Sequence, residues 1–511
     1  MKQTMRRVIV GLTVCAAAAA AGCSSSPSGS SNPSSGSPGN NRALAVALTE
    51  PPDSLDPLGA DSAATPTLSI DLQVFDTLVK AGSKAGTFEP DLATKWTQTS
   101  ADSWTFTLRS DAAFANGDEL TSRDVAASLQ ALVAGKSPGS ALWTDFASVT
   151  TPDAHTVVIN TTAPMGTMLD ALTLLYVAPA SKISNTSYWS KPYGSGPFMV
   201  TQFTPDQSAT LVPNPHYWGT KPSLKTLTMM SVPNDADLTA YLKSGKVDVA
   251  ISVPPDQAPS LAGTKNLKIT VSPSIEYYFI WFNESRKPFT SSLVRQAMWH
   301  ALPIDQIVRS VWGKYASVAT APVSSTVFGY HQEKPYSYNP TLAKKELAEA
   351  GYPNGFSTTM MWEANQAPYL QSMASLFTSA WSAVGIKVTM DQQDPATWLK
   401  NLLALNWNMD FQEAGTTTGD ADYTLGRLYM SSADRMGYKN PSLDRMLTEA
   451  RESTSPAQRQ QYYAQAINII WSQAVGIYPL QANLITAANS RVQNFTPAPN
   501  LLPSFATVSV K

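Results

Sequence analysis

Lys191-Pro192-Tyr193-Gly194-Ser195-Gly196-Pro197-Phe198 is the stretch that opens the rest of the chain to interpretation. Two glycines and two prolines within seven residues punctuate a backbone, and the cluster predicts a turn entering a strand. Ser195 sits between glycines, yet the flanks lack the Gly-x-Ser-x-Gly pattern that strains a nucleophilic serine on a strand-to-helix turn. Shortly afterwards comes Val212-Pro213-Asn214-Pro215-His216-Tyr217-Trp218-Gly219, a second stretch dense in proline and aromatics.

Working outward, strand and helix signals alternate irregularly, which predicts a mixed α and β fold. Ser103 to Arg109 alternates polar and apolar residues, as a half-buried strand does. Thr121 with Asp124 three residues later predicts a helix start, and Val125, Ser128, Leu129 and Leu132 follow on one face. Asn339-Pro340 predicts another, running from Thr341 to Ala350 and stopping at Gly351. Leu370, Met373, Ala374, Phe377, Ala380, Trp381 and Val384 mark an amphipathic helix. Gly385 ends it, and Ile386, Val388 and Met390 form the next alternating strand.

The chain has 511 residues, enough for two or three domains' worth of core. Its 36 Lys plus Arg against 38 Asp plus Glu leave no basic excess of the kind a nucleic-acid binder shows. Both cysteines, Cys15 and Cys23, fall at the start. Lys2, Arg6 and Arg7 precede a 14-residue, largely apolar run from Val8 to Ala21, and the pattern predicts a signal peptide over 1–22. Ala20-Ala21-Gly22-Cys23 resembles the bacterial lipobox, with Ala20 in place of the usual Leu, and implies lipidation at Cys23. Ser24 to Asn41 holds only Ser, Gly, Pro and Asn, a composition that predicts a flexible tether over 23–41. Ordinary secretory cleavage with Cys23 incidental is the alternative. Removing residues 1–22 leaves 33 basic against 38 acidic residues.

The body therefore has no thiol for a disulfide, a zinc site or a nucleophile. His155, His216, His300 and His331 are scattered without ligand spacing, so neither a metal site nor a cofactor is predicted. A pair of catalytic acids has no sequence signature, so a tethered secreted hydrolase stays open as an alternative. Tyr188-Trp189, Tyr217-Trp218, Tyr277-Tyr278, Trp281, Trp398 and Trp407 are divided between core and cleft, with core expected to take most of them.

Taken together these segments resemble family 5 extracellular solute-binding proteins, the receptors of ABC importers for oligopeptides, dipeptides and other solutes. The likeness rests first on 191–198 and 212–219. It extends through Asp53-Ser54-Leu55-Asp56-Pro57, Pro90 to Trp96, Phe114 to Val125, Leu242 to Asp248, Val294-Arg295-Gln296-Ala297, Leu347 to Tyr352 and Val384 to Val388. The resemblance implies a two-lobed periplasmic-binding-protein-like (Venus-flytrap) α/β fold with an extra subdomain inserted in lobe one. Carried over by motif, lobe one takes 42–78, 190–272 and 478–511, the insert 79–189, and lobe two 273–477. It also implies a non-enzymatic mechanism: solute captured between the lobes, hinge closure, and delivery to a membrane permease with its ATPase subunits. The expected protein is a monomer, lipid-anchored to the outer face of a bacterial cell membrane.

In peptide-binding relatives an Asp of the second lobe pairs with the ligand's α-ammonium. Thr418-Gly419-Asp420-Ala421-Asp422-Tyr423 occupies that place here. A cation taken from water needs a fixed carboxylate, so Asp420 is the first candidate, with Asp422 and Tyr423 beside it. Tyr277, Tyr278 and Asn283 flank the hinge crossing as further candidates, with strand packing as the alternative. Thr417 and Thr418 stand where oligopeptide binders carry an aromatic, and this form resembles the glutathione- or dipeptide-type branch. The family's Ala-Ile-Asp-Arg reads Ala301-Leu302-Pro303-Ile304, so Pro303 is expected to open the next helix. Short peptides are the expected solute; glutathione, a nickel chelate, haem or an oligosaccharide are alternatives on the same fold.

Overall fold

Two long antiparallel strands, Leu267–Phe282 and Gly476–Asn489, form the axis of the protein. They belong to an eleven-stranded mixed sheet among the described residues. The computed structural model describes residues 42–511 apart from 49, 60–63, 136–137, 233 and 365. The signal segment, Cys23 and the tether lie outside the described residues. No helix among the described residues is long and apolar enough to cross a membrane.

On one side of this axis lie Val249–Ala250, Ala43–Leu48, Thr226–Ser231, Ser208–Pro213 and Phe198–Thr204. On the other lie Met409–Gly415, Phe356–Glu363 and Ile386–Gln393. Two hydrophobic cores form, the second filling the far flank and reaching across the axis to Ala47, Leu242 and Ala250. One gathers Val46, Leu68, Phe198 and Leu227; the other gathers Phe279, Trp281, Met360 and Trp381.

The crossing strand changes character midway. Leu267 to Pro273 pairs in register with Asn489 to Asn483, and pairing resumes only at Tyr277 with Gln481. Pro273 has no N–H to give the ladder. Ser274 Oγ instead donates to Ala482 O at 2.9 Å, and Ile275 N donates to Pro499 O at 3.0 Å. From Glu276 onward the strand takes a new partner, Met409–Gly415, on its other edge. The three residues Ser274 to Glu276 are thus an irregularity at the junction of the two flanks. Bulges of this kind re-aim side chains.

A separate four-stranded antiparallel sheet contains Ala93–Ser100, Ser103–Leu108, Thr156–Thr161 and Phe146–Asp153. The helix Ser122–Ala134 packs on it. Its start is the expected one: the Asp124 carboxylate accepts from Thr121 N–H at 2.9 Å. The other anticipated elements form as Pro340–Glu349, Pro368–Ser382 and Ile386–Gln393, and Asn339 caps the first of these by accepting from Leu342 N. Pro303 stands one residue before the helix Ile304–Trp312.

The opening motif is a brace. Gly196 N donates to Val74 O at 2.9 Å, and a Cβ on Gly194 would lie 2.2 Å from that same oxygen. Only glycine permits so close a backbone approach. Buried Asn214 ties the two motifs together, its side chain donating to Gly196 O at 2.8 Å and accepting from His216 N. Trp218 Nε1 donates to Asp76 at 2.8 Å while Arg109 stacks 3.3 Å above the Trp218 ring. The signature therefore holds the turn into Phe198–Thr204 against the end of the helix Thr65–Val74.

Candidate functional site

The irregularity at Ser274 to Glu276 and the strand Met409–Gly415 open onto a cleft. Its larger cavity, about 440 Å³, is walled on one side by Thr65, Leu68 and Asn500 to Leu502. The opposite wall presents Glu276, Gln412, Glu413, Tyr423, Arg427 and Arg435. A smaller cavity of about 280 Å³ shares Gln412 and Glu413 with it, and adds Glu50, Tyr278, Trp362, Glu363 and Trp398.

Glu276 is at the first register position after the ladder break, facing Gly415 across the strands. Desolvation, then the charges of Glu413 and Glu50, push its carboxyl up to about 8. Glu413 is reached by water yet hemmed in by the cleft walls. Desolvation pushes it up as well, and the Tyr278 hydroxyl, donating to it, works in the opposite direction. Glu363 moves the same way through desolvation and the charge of Glu50. None of these four acids forms an ion pair among the described residues.

The larger cavity also contains guanidinium groups. Arg427 donates to Tyr423 O at 3.0 Å and lies over the Tyr423 ring at 4.5 Å. Arg435 has a buried Nε without a partner, and desolvation and the charge of Arg427 pull its pKa below the usual arginine value. Neither arginine has a carboxylate partner among the described residues. The cleft thus holds acids and guanidiniums without ion-pair partners among the described residues, the acids lining both cavities and the arginines the larger one only.

The sequence-derived candidates fall in three places. Tyr423 and Tyr278 line the cleft. Tyr277 and Asn283 are in the core: Tyr277 stacks on Phe279, and Asn283 Nδ2 donates to Leu405 O and Trp407 O at 3.0 and 2.8 Å. Asp420 is 1% exposed. Its carboxylate accepts from Arg459 at 2.7 Å, from the Tyr463 hydroxyl at 2.8 Å and from Asp422 N at 2.9 Å. Asp422 pairs with Arg451 at 3.1 Å. Arg459 also reaches Asp170 at 3.7 Å, on the short helix Met168–Leu172. Desolvation and the charge of Asp420 push the Asp170 carboxyl well up. An ammonium ligand at Asp420 would have to displace Arg459.

Sequence reasoning passed over Glu276, Glu363, Glu413, Arg427 and Arg435. The signal was present for the first: a lone acid inside Ser274-Ile275-Glu276-Tyr277-Tyr278-Phe279-Ile280, an otherwise apolar strand. An isolated charge there is costly to bury unless something will pair with it.

A sheet continuous across two flanks, with a cleft at the ladder break, defines the two-lobed class of α/β binding proteins. Residues 87–435 match the bacterial extracellular solute-binding proteins, family 5 (middle), and the chain belongs to that family. It is 27% identical over 447 residues to the "Probable D,D-dipeptide-binding periplasmic protein DdpA" of Escherichia coli strain K12, covering 82% of this chain and 84% of that one. It is also 27% identical over 369 residues to the glutathione-binding protein GsiB of Pectobacterium atrosepticum, covering 69% and 72%. Among solved structures, the periplasmic binding protein DppA from Helicobacter pylori in complex with peptide STSA superposes with a TM-score of 0.80. Its identity is 23%, and 92% of this chain and 98% of that chain are covered.

Proposed function

We propose that this protein is the receptor of an ABC importer and captures short peptides in the cleft, binding them without turnover. The juxtaposition of unpaired carboxylates and unpaired guanidiniums in one cleft supports this assignment. A short peptide is a zwitterion, and burying both its ends requires partners of both signs. Glu276 and Glu413 take the ammonium, and Arg427 and Arg435 take the carboxylate. Tyr423 and Tyr278 shape the walls, while Asp420 and Asp422 fix the cleft wall through Arg459 and Arg451. Peptide- and glutathione-binding relatives support the same solute class.

The lobes are 42–78 with 190–272 and 478–511, and 273–477, with 79–189 inserted in the first. Closure about Ser274 to Glu276 presents the loaded form to a permease and its ATPase subunits. Signal cleavage and lipidation at Cys23 hold the monomer at the outer face of the membrane on the 23–41 tether. Calorimetry with di-, tri- and oligopeptides, glutathione, a nickel–histidine chelate and an oligosaccharide tests the solute. Saturable one-to-one binding of a short peptide is the expected result; binding of only the chelate or the sugar would overturn the peptide assignment.

A further inference from the structure

We propose that the smaller cavity is a subsite for a cationic side chain, so that the peptides captured are those carrying lysine or arginine. This rests on the peptide assignment above and specifies its substrate class. Glu50, Glu363 and Glu413 line this cavity, and no guanidinium or ammonium group of the described residues lies among its walls. Both cleft arginines face the larger cavity instead. Tyr278, Trp362, Trp398 and Phe411 give the rest of the wall four aromatic faces, beside Ala364, Gln366, Leu370 and Gln412. Carboxylates set among aromatic faces suit an alkyl chain ending in a cation, which gains from both.

Trp362 is the most deeply buried of these rings. It is 3% exposed, it lines the cavity, and its indole N–H has no partner. No group of three or more His, Cys, Asp or Glu among the described residues is arranged to hold a metal ion. The cavity's 280 Å³ is below the usual ~300–1,000 Å³ of a whole ligand site. It accommodates one side chain, while the larger cavity with which it shares Gln412 and Glu413 takes the peptide backbone.

The test is calorimetry on the purified protein with Ala-Lys-Ala, Lys-Ala-Ala and Ala-Ala-Lys, their Gln and Glu counterparts, and spermidine. At least one Lys peptide should bind about tenfold or more tightly than its Gln counterpart, with the Glu counterpart weaker still. That gap should narrow severalfold in Glu363→Gln and in Glu50→Gln, two acids that line the smaller cavity alone, and shrink as salt is raised. Peptides binding without preference for Lys would overturn the cationic subsite and leave the peptide receptor standing. Spermidine binding with no peptide binding would keep the subsite and overturn the peptide receptor. Failure of every probe would overturn both.

Discussion

Replacing Asp420 by Ala tests whether this residue is held by the protein or reserved for the solute. The substitution removes the acceptor for Arg459 at 2.7 Å and for the Tyr463 hydroxyl at 2.8 Å. Breaking a buried ion pair by deleting one partner costs about 3–5 kcal/mol. Arg459 keeps Asp170 at 3.7 Å, which places the loss near the lower end, ~3 kcal/mol. With an unfolding entropy of ~2.1 cal/mol/K per residue, a body of about 470 residues gains ~1 kcal/mol/K, so Tm should fall by ~3 °C. Arg459→Met should cost more, because Asp170 and Asp420 are then left buried together without a cation. The double variant should cost less than the two singles combined, since both remove one interaction. Scanning calorimetry on the four proteins provides the cycle. A Tm for Asp420→Ala equal to wild type, or strictly additive losses, would refute the assignment of Asp420 to an internal ion pair.

Other tests address charge and packing. An ammonium bound at Glu276 favours its ionised form, whereas burial and the charges of Glu413 and Glu50 push that carboxyl up to about 8; peptide binding at pH 7 should therefore release protons. Affinity should rise with pH through about 8, seen as buffer-dependent binding enthalpies, and Glu276→Gln should abolish the dependence. Asp170 is raised above its unfolded value of about 3.9, so the fold binds its proton more tightly than the unfolded chain does. Its contribution is complete below that unfolded value and is lost as pH rises toward the folded pKa; Asp170→Asn should flatten that part of a denaturant-stability profile. Asn214→Ala leaves Gly196 O and His216 N without their partner and should lower unfolding free energy by ~1–3 kcal/mol in urea titrations.

The sequence revealed much of the fold because its decisive signals are local. The Gly194 to Pro197 turn, the Thr121–Asp124 cap and the Asn339-Pro340 helix start each depend on a few adjacent residues, and each appears where the pattern puts it. The site was harder to read, because it is assembled from distant segments. Glu50, Glu276, Glu363 and Glu413 meet only when strands far apart in the chain pair across the sheet. Conversely, nothing near Asp420 in sequence announces its partner Arg459, 39 positions away on another helix. Tyr277 and Tyr278 show the same limit. Neighbours on a strand point to opposite faces, and only one of the two lines the cleft.

The central claim is that unpaired charges of the cleft, Glu413 foremost, take a peptide ammonium. Titration of one tightly bound tripeptide into wild type, Glu413→Gln and Asp420→Asn tests it most directly. The account predicts one-to-one binding to wild type, a loss of about tenfold or more in Glu413→Gln, and a much smaller change in Asp420→Asn. Full affinity in Glu413→Gln with binding abolished in Asp420→Asn would contradict it.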